Sequence, residues 1–344
     1  MDNRKILVIY TGGTIGMVMD AENNALKPFE FKNIHQQLPM LHLVEADLTF
    51  EEMLPLIDSS DTNPDFWIRL AQLIKRNYEY YDGFVVLHGT DTMAFTASAL
   101  SFLLENLAKP VILTGSQLPL GVIRTDGRRN ILNSIAIAAE YIDNHPVIQE
   151  VCIYFQNNLY RGNRTYKDDA SRFNAFSSPN FHKLADVNTN VEYHVSDALR
   201  ADPDKPFVVH DKMDDSVAII KLFPGMRPSR LSSFLDAPDL HAIVLETFGV
   251  GNAPTSPEFI DTLKRAVDRG MTILNITQCK NGGGVEMGRY LTGIGLASAG
   301  VVSGHDMTTE AAVTKLMFLL GQGLSQQEIR RQLEISLRGE LTED

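Results

Sequence analysis

Short runs of apolar residues recur along this chain, and they constrain its fold more than any other feature of the sequence. The runs are rich in Val, Ile and Leu and are apolar at nearly every position, which is typical of strands buried on both faces in parallel sheets. Helical patterns lie between them, so the alternation predicts an α/β architecture with parallel strand pairing. The predicted strands cover residues 5–10, 83–88, 111–114, 151–155, 217–223, 242–247 and 272–277.

The helical patterns are supported by local start signals. The first begins at Asn63, a capping side chain, followed by Pro64 at the first helical position. Apolar residues then recur at the spacing of one helix face. The predicted helices run from 64 through 74, from 92 to about 107, from just after 126 through 138, and roughly over 257–269 and 309–320.

The length of 344 residues suits two domains better than one. The strand–helix pattern weakens between residues 188 and 216, where polar residues and prolines gather around an extended segment at 207–210. We therefore predict a larger N-terminal α/β domain over residues 1–194, with a Rossmann-like or flavodoxin-like, mostly parallel sheet. A linker at 195–215 would lead to a smaller C-terminal α/β domain with a parallel sheet over 216–344.

Composition narrows the partners and the compartment. The net charge of −12 argues against a nucleic-acid partner, because binding phosphates requires a basic face. No apolar run reaches the roughly 18 residues of a membrane span, and residues 1–4 do not resemble a secretion signal. Cys152 and Cys279 both lie in apolar runs, so we expect buried thiols in a reducing compartment. These features favour a cytoplasmic protein.

The first predicted strand leads into a loop with the sequence Thr-Gly-Gly-Thr-Ile-Gly at residues 11–16. In open α/β sheets, ligands bind at the carboxyl ends of the strands. Two glycines allow a tight turn and a close approach to a ligand, and the Thr14 hydroxyl follows directly. A purely structural turn is the alternative. A nucleotide loop is disfavoured because neither a P-loop nor a dinucleotide fingerprint is present.

The second predicted strand ends in His88-Gly89-Thr90-Asp91-Thr92, and a helix begins at once. Thr90 and Asp91 therefore lie near a helix N-terminus, where free N–H groups and the helix dipole favour negative charge. Asp91 is either a helix cap or a carboxylate that binds a substrate ammonium. Backbone N–H groups nearby could hold a carboxylate or a developing oxyanion.

Two other loops carry candidate groups. Asp58, Ser59 and Ser60 precede the capped helix, and they fit either turn chemistry or the recognition of an amino-acid head group. Lys167 follows the fourth predicted strand, where it is either a solvated charge or a buried base with a lowered pKa. Neither histidine that follows an apolar run has the spacing of a metal site, and no nucleophile elbow of the G-x-S-x-G type occurs.

The two glycine-containing motifs, at residues 10–16 and 87–92, resemble those of the bacterial-type L-asparaginases, and especially their cytoplasmic type I branch. The resemblance extends over nearly the whole chain. It includes residues 58–61, 114–117, 160–167, 249–254, 277–279 and 337–342.

The resemblance implies an amidohydrolase that needs no metal and no organic cofactor. Thr14 would be the nucleophile that attacks the side-chain amide carbon of L-asparagine, giving an acyl-threonine intermediate and ammonia. Water would then release L-aspartate. Thr90, Asp91 and Lys167 match the second catalytic cluster, which handles protons and water. The substrate-binding residues implied by the resemblance are Asp58, Ser59, Ser60, Thr90 and Asp91.

The resemblance also implies self-association as a homodimer or homotetramer, with the small molecule L-asparagine as the other partner. Asn252 and Cys279 are candidates for an interface or for a second site, because some cytoplasmic members are allosterically controlled by asparagine. This chain has Glu246 where a cation is expected and Tyr166 where a smaller residue is expected.

One departure from the family pattern affects the nucleophile. Many members have a tyrosine in the loop after the first motif, whereas residues 17–28 contain none here. Tyr10 precedes the motif, and we expect it to point elsewhere. Glutamine hydrolysis, amide release for tRNA amidation and a non-catalytic amino-acid sensor remain alternative functions. The presence of all four catalytic-type residues favours the hydrolase.

Overall fold

A computed structural model describes residues 3–20, 25–28, 34, 38–288 and 291–343 of the chain. The chain forms two compact units that divide between Asp211 and Lys212. Part of the segment predicted as a linker belongs to the first unit, where the Leu199 N–H donates to the Glu150 carboxylate at 2.8 Å. The domain bounds inferred from the sequence stay a prediction.

The first unit is built on one eight-stranded sheet. Its helices are α1 (Pro64–Asn77), α2 (Met93–Leu103) and α3 (Gly127–Ala138). Its strands are β1 (Arg4–Gly12), β2 (Met17–Asp20), β3 (Ala25–Pro28), β4 (Ala46–Ile57), β5 (Gly83–Leu87), β6 (Leu104–Glu105), β7 (Val111–Thr114), β8 (Tyr141–Ile142), β9 (His145–Pro146), β10 (Val151–Phe155), β11 (Asn158–Arg161), β12 (Tyr166–Lys167), β13 (Phe176–Ser177), β14 (Ala185–Val187), β15 (Val191–Tyr193) and β16 (Val208–Val209).

Parallel pairing joins β4, β1, β5, β7 and β10, while β11, β14 and β15 extend the sheet in antiparallel fashion. Taken in chain order, the five parallel strands stand in the arrangement 2-1-3-4-5, which is that of a flavodoxin-like sheet. The mostly parallel N-terminal sheet predicted from the sequence is confirmed.

The core explains why these segments form strands and helices. Every residue of β5, β7 and β10 is buried, as expected for strands covered by helices on both faces. Helix α1 begins as predicted, with the Asn63 side chain accepting the Phe66 N–H at 3.0 Å and Pro64 in its first turn. Helix α2 is apolar on nearly all sides because it is a core helix.

The sequence analysis missed the strands at the sides of this sheet. Strand β4 alternates charged and apolar residues and is half-exposed, so it lacks the continuous apolar run that revealed its neighbours. Strands β11, β14 and β15 are short antiparallel additions. The extended segment expected at 207–210 contains β16, which pairs with β6.

The second unit has a separate four-stranded sheet in which all neighbouring strands are parallel and stand in chain order. This confirms the predicted smaller parallel-sheet domain. Its strands are β17 (Val217–Lys221), β18 (Ala242–Thr247), β19 (Thr272–Thr277) and β20 (Val302–Ser303). Its helices are α4 (Pro228–Leu235), α5 (Pro257–Asp268), α6 (Leu291–Ser298), α7 (Thr309–Gly321) and α8 (Gln326–Leu333).

An ion pair lies in the interior of this second unit. Lys315 of α7 and Glu340 are both fully buried, with 2.6 Å between Nζ and Oε1. The ammonium also donates to the carbonyl of Ile335 at 2.7 Å, and the carboxylate accepts the N–H groups of Leu337 and Arg338. The pair therefore ties the C-terminal segment to α7.

The two cysteines differ in environment. Cys152 on β10 is buried, as predicted, and burial raises the pKa of its thiol well above the usual value. Cys279 is exposed, so the prediction of a buried thiol is wrong there, because strand β19 ends two residues before it. Over the described residues, helices that combine the length and apolarity of a membrane span are absent.

Candidate active site

The topology of the first unit places a crevice between β1 and β5. Strand β1 lies between β4 and β5, so the chain leaves it toward β4 on one side and later returns to β5 on the other. In flavodoxin-like sheets, ligands bind at this switch point, outside the carboxyl ends of the strands. Both glycine-containing motifs follow these two strands, β1 and β5.

Two glycines bring three loops into contact at this crevice. A Cβ atom added to Gly13 would lie 2.5 Å from the Cα of Gly89, and one added to Gly89 would lie 2.5 Å from the Oγ of Ser59. Real Cβ atoms essentially never approach other atoms so closely. The loop that carries Thr90 therefore touches both the loop of Thr14 and the loop of Ser59.

Thr14 opens a single 3₁₀ turn, Thr14–Gly16, in which the Gly16 N–H donates to the Gly13 carbonyl at 3.2 Å. The hydroxyl of buried Tyr10 lies so close to Gly16 that an added Cβ would overlap it. The Tyr10 side chain therefore packs against Gly16 of the motif, and the expectation that Tyr10 does not assist Thr14 stays a prediction. Burial, and to a lesser degree Glu52, raise the pKa of Tyr10 to about 12, so the hydroxyl remains protonated.

Thr90, Asp91 and Lys167 form one hydrogen-bonded cluster. The Lys167 ammonium donates to Thr90 Oγ1 at 2.8 Å and to Asp91 Oδ1 at 2.6 Å. Only 16% of the Lys167 side chain is exposed, which rules out a merely solvated charge, whereas Asp91 is 67% exposed. Asp91 is not the helix cap either, because Thr92 occupies that position at α2. The three residues are therefore arranged to exchange a proton and to offer a carboxylate to a ligand.

The loop after β4 presents Ser59 to this cluster. The carbonyl of Ser59 accepts the hydroxyls of Thr92 at 2.6 Å and Thr62 at 3.0 Å, so the loop is fastened to the start of α2. Asp58 accepts both the N–H and the hydroxyl of Ser60, and these bonds lower the pKa of Asp58. The predicted turn chemistry is thus present, and ligand binding by Asp58 and Ser60 stays a prediction.

Asn252 and Cys279 lie in the second unit, in the loops after β18 and β19. Asn252 pairs through its backbone with Phe248 in a tight turn. Thr277 links the two loops, since its hydroxyl donates to the Gly249 carbonyl and accepts the Cys279 N–H. A role for Asn252 or Cys279 at a second site or an interface stays a prediction.

Glu246, noted in the sequence where a cation was expected, is held within the second unit. Its carboxylate accepts the Thr309 hydroxyl at 2.8 Å and lies 3.5 Å from the Lys221 ammonium. The negative charge of Glu246 is thus partly balanced by an adjacent lysine.

Sequence reasoning missed the residues behind the crevice. Tyr10 and Thr92 stood inside or beside the motifs, but their hydroxyls carry no pattern that distinguishes a supporting residue from a site residue. His88 was weighed only as a metal ligand. Its position directly between an apolar strand and Gly89 was the available signal. Within the residues that the structure describes, His, Cys, Asp and Glu side chains do not gather in threes as a metal site requires.

The arrangement suits acyl transfer. A hydroxyl on a turn at a strand end can act as a nucleophile if a neighbouring group assists it. N–H groups at strand-end loops and a helix N-terminus can stabilise the charge that develops on a carbonyl oxygen. The loop that follows Thr14 continues into the β2–β3 hairpin, and residues 21–24 of that segment lie outside the described part of the chain.

Comparisons with known proteins agree with this geometry. Two family models match, "Asparaginase, N-terminal" at residues 5–199 and "Glutaminase/Asparaginase C-terminal domain" at 216–333. L-asparaginase 1 of Escherichia coli K12 is 44% identical over 345 residues and is covered along its whole length, as is this chain. The human protein named 60 kDa lysophospholipase is 44% identical and covers 98% of this chain, which spans 62% of that protein.

A solved structure gives the same result. The crystal structure of L-asparaginase I from Vibrio cholerae superposes with a TM-score of 0.90 at 44% identity, covering 99% of this chain and 100% of the other. Together, the matched domain models, the full-length identity and the shared fold establish that the chain belongs to the asparaginase family.

Proposed function

We propose that this protein hydrolyses L-asparagine to L-aspartate and ammonia through a covalent acyl-threonine intermediate. The observation that carries the proposal is the contact of three loops at the β1/β5 crevice, with Lys167 bonded to both Thr90 and Asp91. The names of the full-length bacterial relative and of the similar structure support the same substrate.

In the first half-reaction, the Thr14 hydroxyl gives its proton to an assisting group while its oxygen attacks the side-chain amide carbon of asparagine, and the carbonyl oxygen becomes an oxyanion. Backbone N–H groups of the strand-end loops stabilise that oxyanion. The C–N bond then breaks, the nitrogen takes a proton, and ammonia leaves the acyl-enzyme. In the second half-reaction, water attacks the same carbon, aspartate is released and the Thr14 hydroxyl is restored.

Thr90, Lys167 and Asp91 manage the protons in this scheme. The Lys167 ammonium is 2.8 Å from the Thr90 hydroxyl, close enough for a proton to pass along that hydrogen bond. Asp91 holds the ammonium in place with one oxygen, and its exposed carboxylate can also accept the substrate ammonium. Ser59, with Asp58 and Ser60 beside it, receives the amino-acid end of the substrate.

The decisive experiment is ammonia release by Thr14→Ala and Thr14→Ser, measured beside the unmodified protein. We expect Thr14→Ala to lose activity by at least ~10³-fold, as for other enzymes deprived of their nucleophile, with no change in Tm. Thr14→Ser should retain part of the rate, because it keeps a hydroxyl. Normal turnover by Thr14→Ala would show that the nucleophile is another group.

Substrate choice is tested in the same assay with asparagine, glutamine and lysophosphatidylcholine, the last because of the name of the human relative. The described groups at the crevice are hydroxyls, a carboxylate and an ammonium, which suit an amino acid. We expect asparagine to be the best substrate and no fatty acid to be released from the lysolipid.

We further propose a cytoplasmic homodimer or homotetramer, in keeping with the resemblance to cytoplasmic asparaginases and with two free thiols. Light scattering during size exclusion would give the mass of the assembly. Asn252 and Cys279 are proposed as residues of an interface or of a second asparagine site. A rate curve that is hyperbolic in asparagine would argue against the second site.

A further inference from the structure

A buried histidine lies directly behind the Thr90 loop. His88 is fully enclosed at the end of β5 and packs edge-on against Phe66, with 5.7 Å between the ring centroids. Its backbone N–H donates to the Thr114 carbonyl at 2.9 Å, which fixes its position on the sheet. The reaction as proposed above gives this residue no part.

Three hydrogen bonds run in line through the His88 ring. Trp67 Nε1 donates to Thr96 Oγ1 at 3.0 Å, Thr96 Oγ1 lies 3.0 Å from His88 Nε2, and His88 Nδ1 lies 2.7 Å from the carbonyl oxygen of Gly89. All three side chains are buried. The line therefore connects helices α1 and α2 to the peptide that precedes Thr90.

The chemistry of the partners fixes the direction of every proton in this line. A carbonyl oxygen can only accept, so His88 Nδ1 must carry the hydrogen. Burial lowers the pKa of His88 to about 4, so the neutral ring has no proton on Nε2 near pH 7. Nε2 therefore accepts the Thr96 hydroxyl, whose oxygen in turn accepts the indole N–H of Trp67.

We propose that Thr96 and His88 are positioning residues that set the orientation of the Gly89–Thr90 peptide for catalysis. In a trans peptide, the C=O and N–H groups point in opposite directions. Because His88 holds the Gly89 carbonyl on the buried side, the Thr90 N–H is directed to the opposite side, toward the crevice. The inference rests on the proposed function, because it gives that N–H a reaction to serve.

The Gly89–Thr90 peptide needs to be held in one orientation because Gly89 is flexible. Ser59 leaves no room for a side chain at position 89, so this position requires glycine. Glycine has a wider range of allowed φ and ψ angles than other residues. A half-turn of the Gly89–Thr90 peptide would present a carbonyl oxygen to the crevice, where negative charge develops. Loss of one oxyanion donor typically lowers kcat by about 10²–10³-fold, so a change in the orientation of this one peptide would lower kcat strongly.

The first test compares three variants of α2. Thr96→Val keeps the shape but removes the hydroxyl, and we expect kcat for asparagine to fall by at least ~10-fold with KM within about threefold. Thr96→Ser should restore kcat. Ser98→Ala is the matched control, because Ser98 Oγ is a buried hydroxyl of the same helix for which no partner is present among the described residues. It should leave kcat unchanged even if Tm shifts.

A second test compares two substitutions of His88. Both introduce an amide side chain, but they place the amide at different ring-nitrogen positions. In His88→Asn, the amide nitrogen can take the place of Nδ1 and donate to Gly89, whereas in His88→Gln the amide reaches the place of Nε2. We expect the Asn variant to keep a kcat at least ~3-fold higher than that of the Gln variant. Equal kcat values for the two would contradict the positioning role, because a merely structural histidine has no such preference.

Nitrogen NMR of the unmodified protein gives an answer that does not depend on any variant folding. We expect His88 to be neutral, protonated on Nδ1 and unprotonated on Nε2. A proton on Nε2, or a Thr96→Val protein with normal kcat, would overturn the inference. If the unmodified protein released no ammonia from asparagine, the proposed function would fail instead, which the same assay shows separately.

Discussion

The carboxyl ends of the two parallel sheets make an instructive comparison. In the first unit, β1 and β5 stand at a reversal of strand order. The loops that follow them leave a crevice that holds the exposed Asp91 carboxylate and the largely buried Lys167 ammonium. In the second unit, β17 to β20 follow one another in chain order without a reversal. There, Gln278 donates to the Leu222 and Glu246 carbonyls, and Thr309 holds the Glu246 side chain. The same architecture therefore yields a candidate active site only where topology opens the sheet edge.

The largest expected effect comes from a matched pair of lysines, one at each sheet edge. Lys167→Met removes the ammonium between Thr90 and Asp91, and we expect kcat/KM to fall by about 10³-fold, within the usual range for a proton-transfer group. Lys221→Met removes an exposed ammonium that lies 3.5 Å from Glu246, and activity should stay within about twofold. Steady-state ammonia release measures both. Equal losses would mean that the two edges do not differ as described.

The next largest expected effect is on the stability of the second unit, through its buried Lys315–Glu340 ion pair. Lys315→Met leaves Glu340 buried without its cation, and we expect the free energy of unfolding to fall by about 3–4 kcal/mol. Replacing both partners, Lys315→Met with Glu340→Leu, should recover part of that loss, although Glu340 also accepts two backbone N–H groups.

Urea denaturation followed by circular dichroism would report this loss. Trp67, the single tryptophan of the chain, reports specifically on the first unit by fluorescence. A Lys315→Met protein as stable as the parent would show that the pair contributes little.

The free energy of unfolding of the first unit should change with pH by up to about 3 kcal/mol because of His88. Burial lowers the pKa of His88 to about 4 from its ordinary value of 6.5. Between these two pH values His88 is protonated in the unfolded chain but not in the folded chain. This contribution to stability is complete above pH 6.5 and is lost progressively as the pH falls toward 4. His88→Asn should flatten this part of the curve of unfolding free energy against pH, read by Trp67 fluorescence.

The smallest predicted effect comes from the glycine contact between loops. Gly89→Ala would place a Cβ 2.5 Å from Ser59 Oγ, and the loops must separate, so we expect KM for asparagine to rise about 10-fold. Gly288→Ala in the second unit is the control, since an added Cβ there has no described atom within 4 Å. Unchanged kinetics in Gly89→Ala would mean that the loops tolerate separation.

The interior strands and the main helices could be predicted from the sequence, because continuous apolar runs and capping residues leave a direct local signal. Strand β4 could not, since its half-exposed face carries charges. The exposure of Cys279 was missed because an apolar run does not reveal where its strand ends.

For the candidate site, the motifs located the three loops, and the structure brings those loops together. The Lys167 cluster was expected only by resemblance, because lysine burial depends on contacts distant in sequence. The contact of Tyr10 with the first motif and the positioning roles proposed for Thr96 and His88 depend in the same way on contacts distant in sequence. A buried hydroxyl or imidazole looks alike in sequence, whether it only fills the core or also orients a loop.

The strand that carries Lys167 has a consequence for the growing polypeptide on the ribosome. Thr90 is translated 77 residues before Lys167, which at cellular synthesis rates corresponds to about 4–15 seconds. Throughout that interval the nascent chain holds both glycine motifs but no ammonium to complete the cluster. With Lys167 in the role proposed above, hydrolytic competence is a late property of biosynthesis, and it arrives only after β12 has emerged.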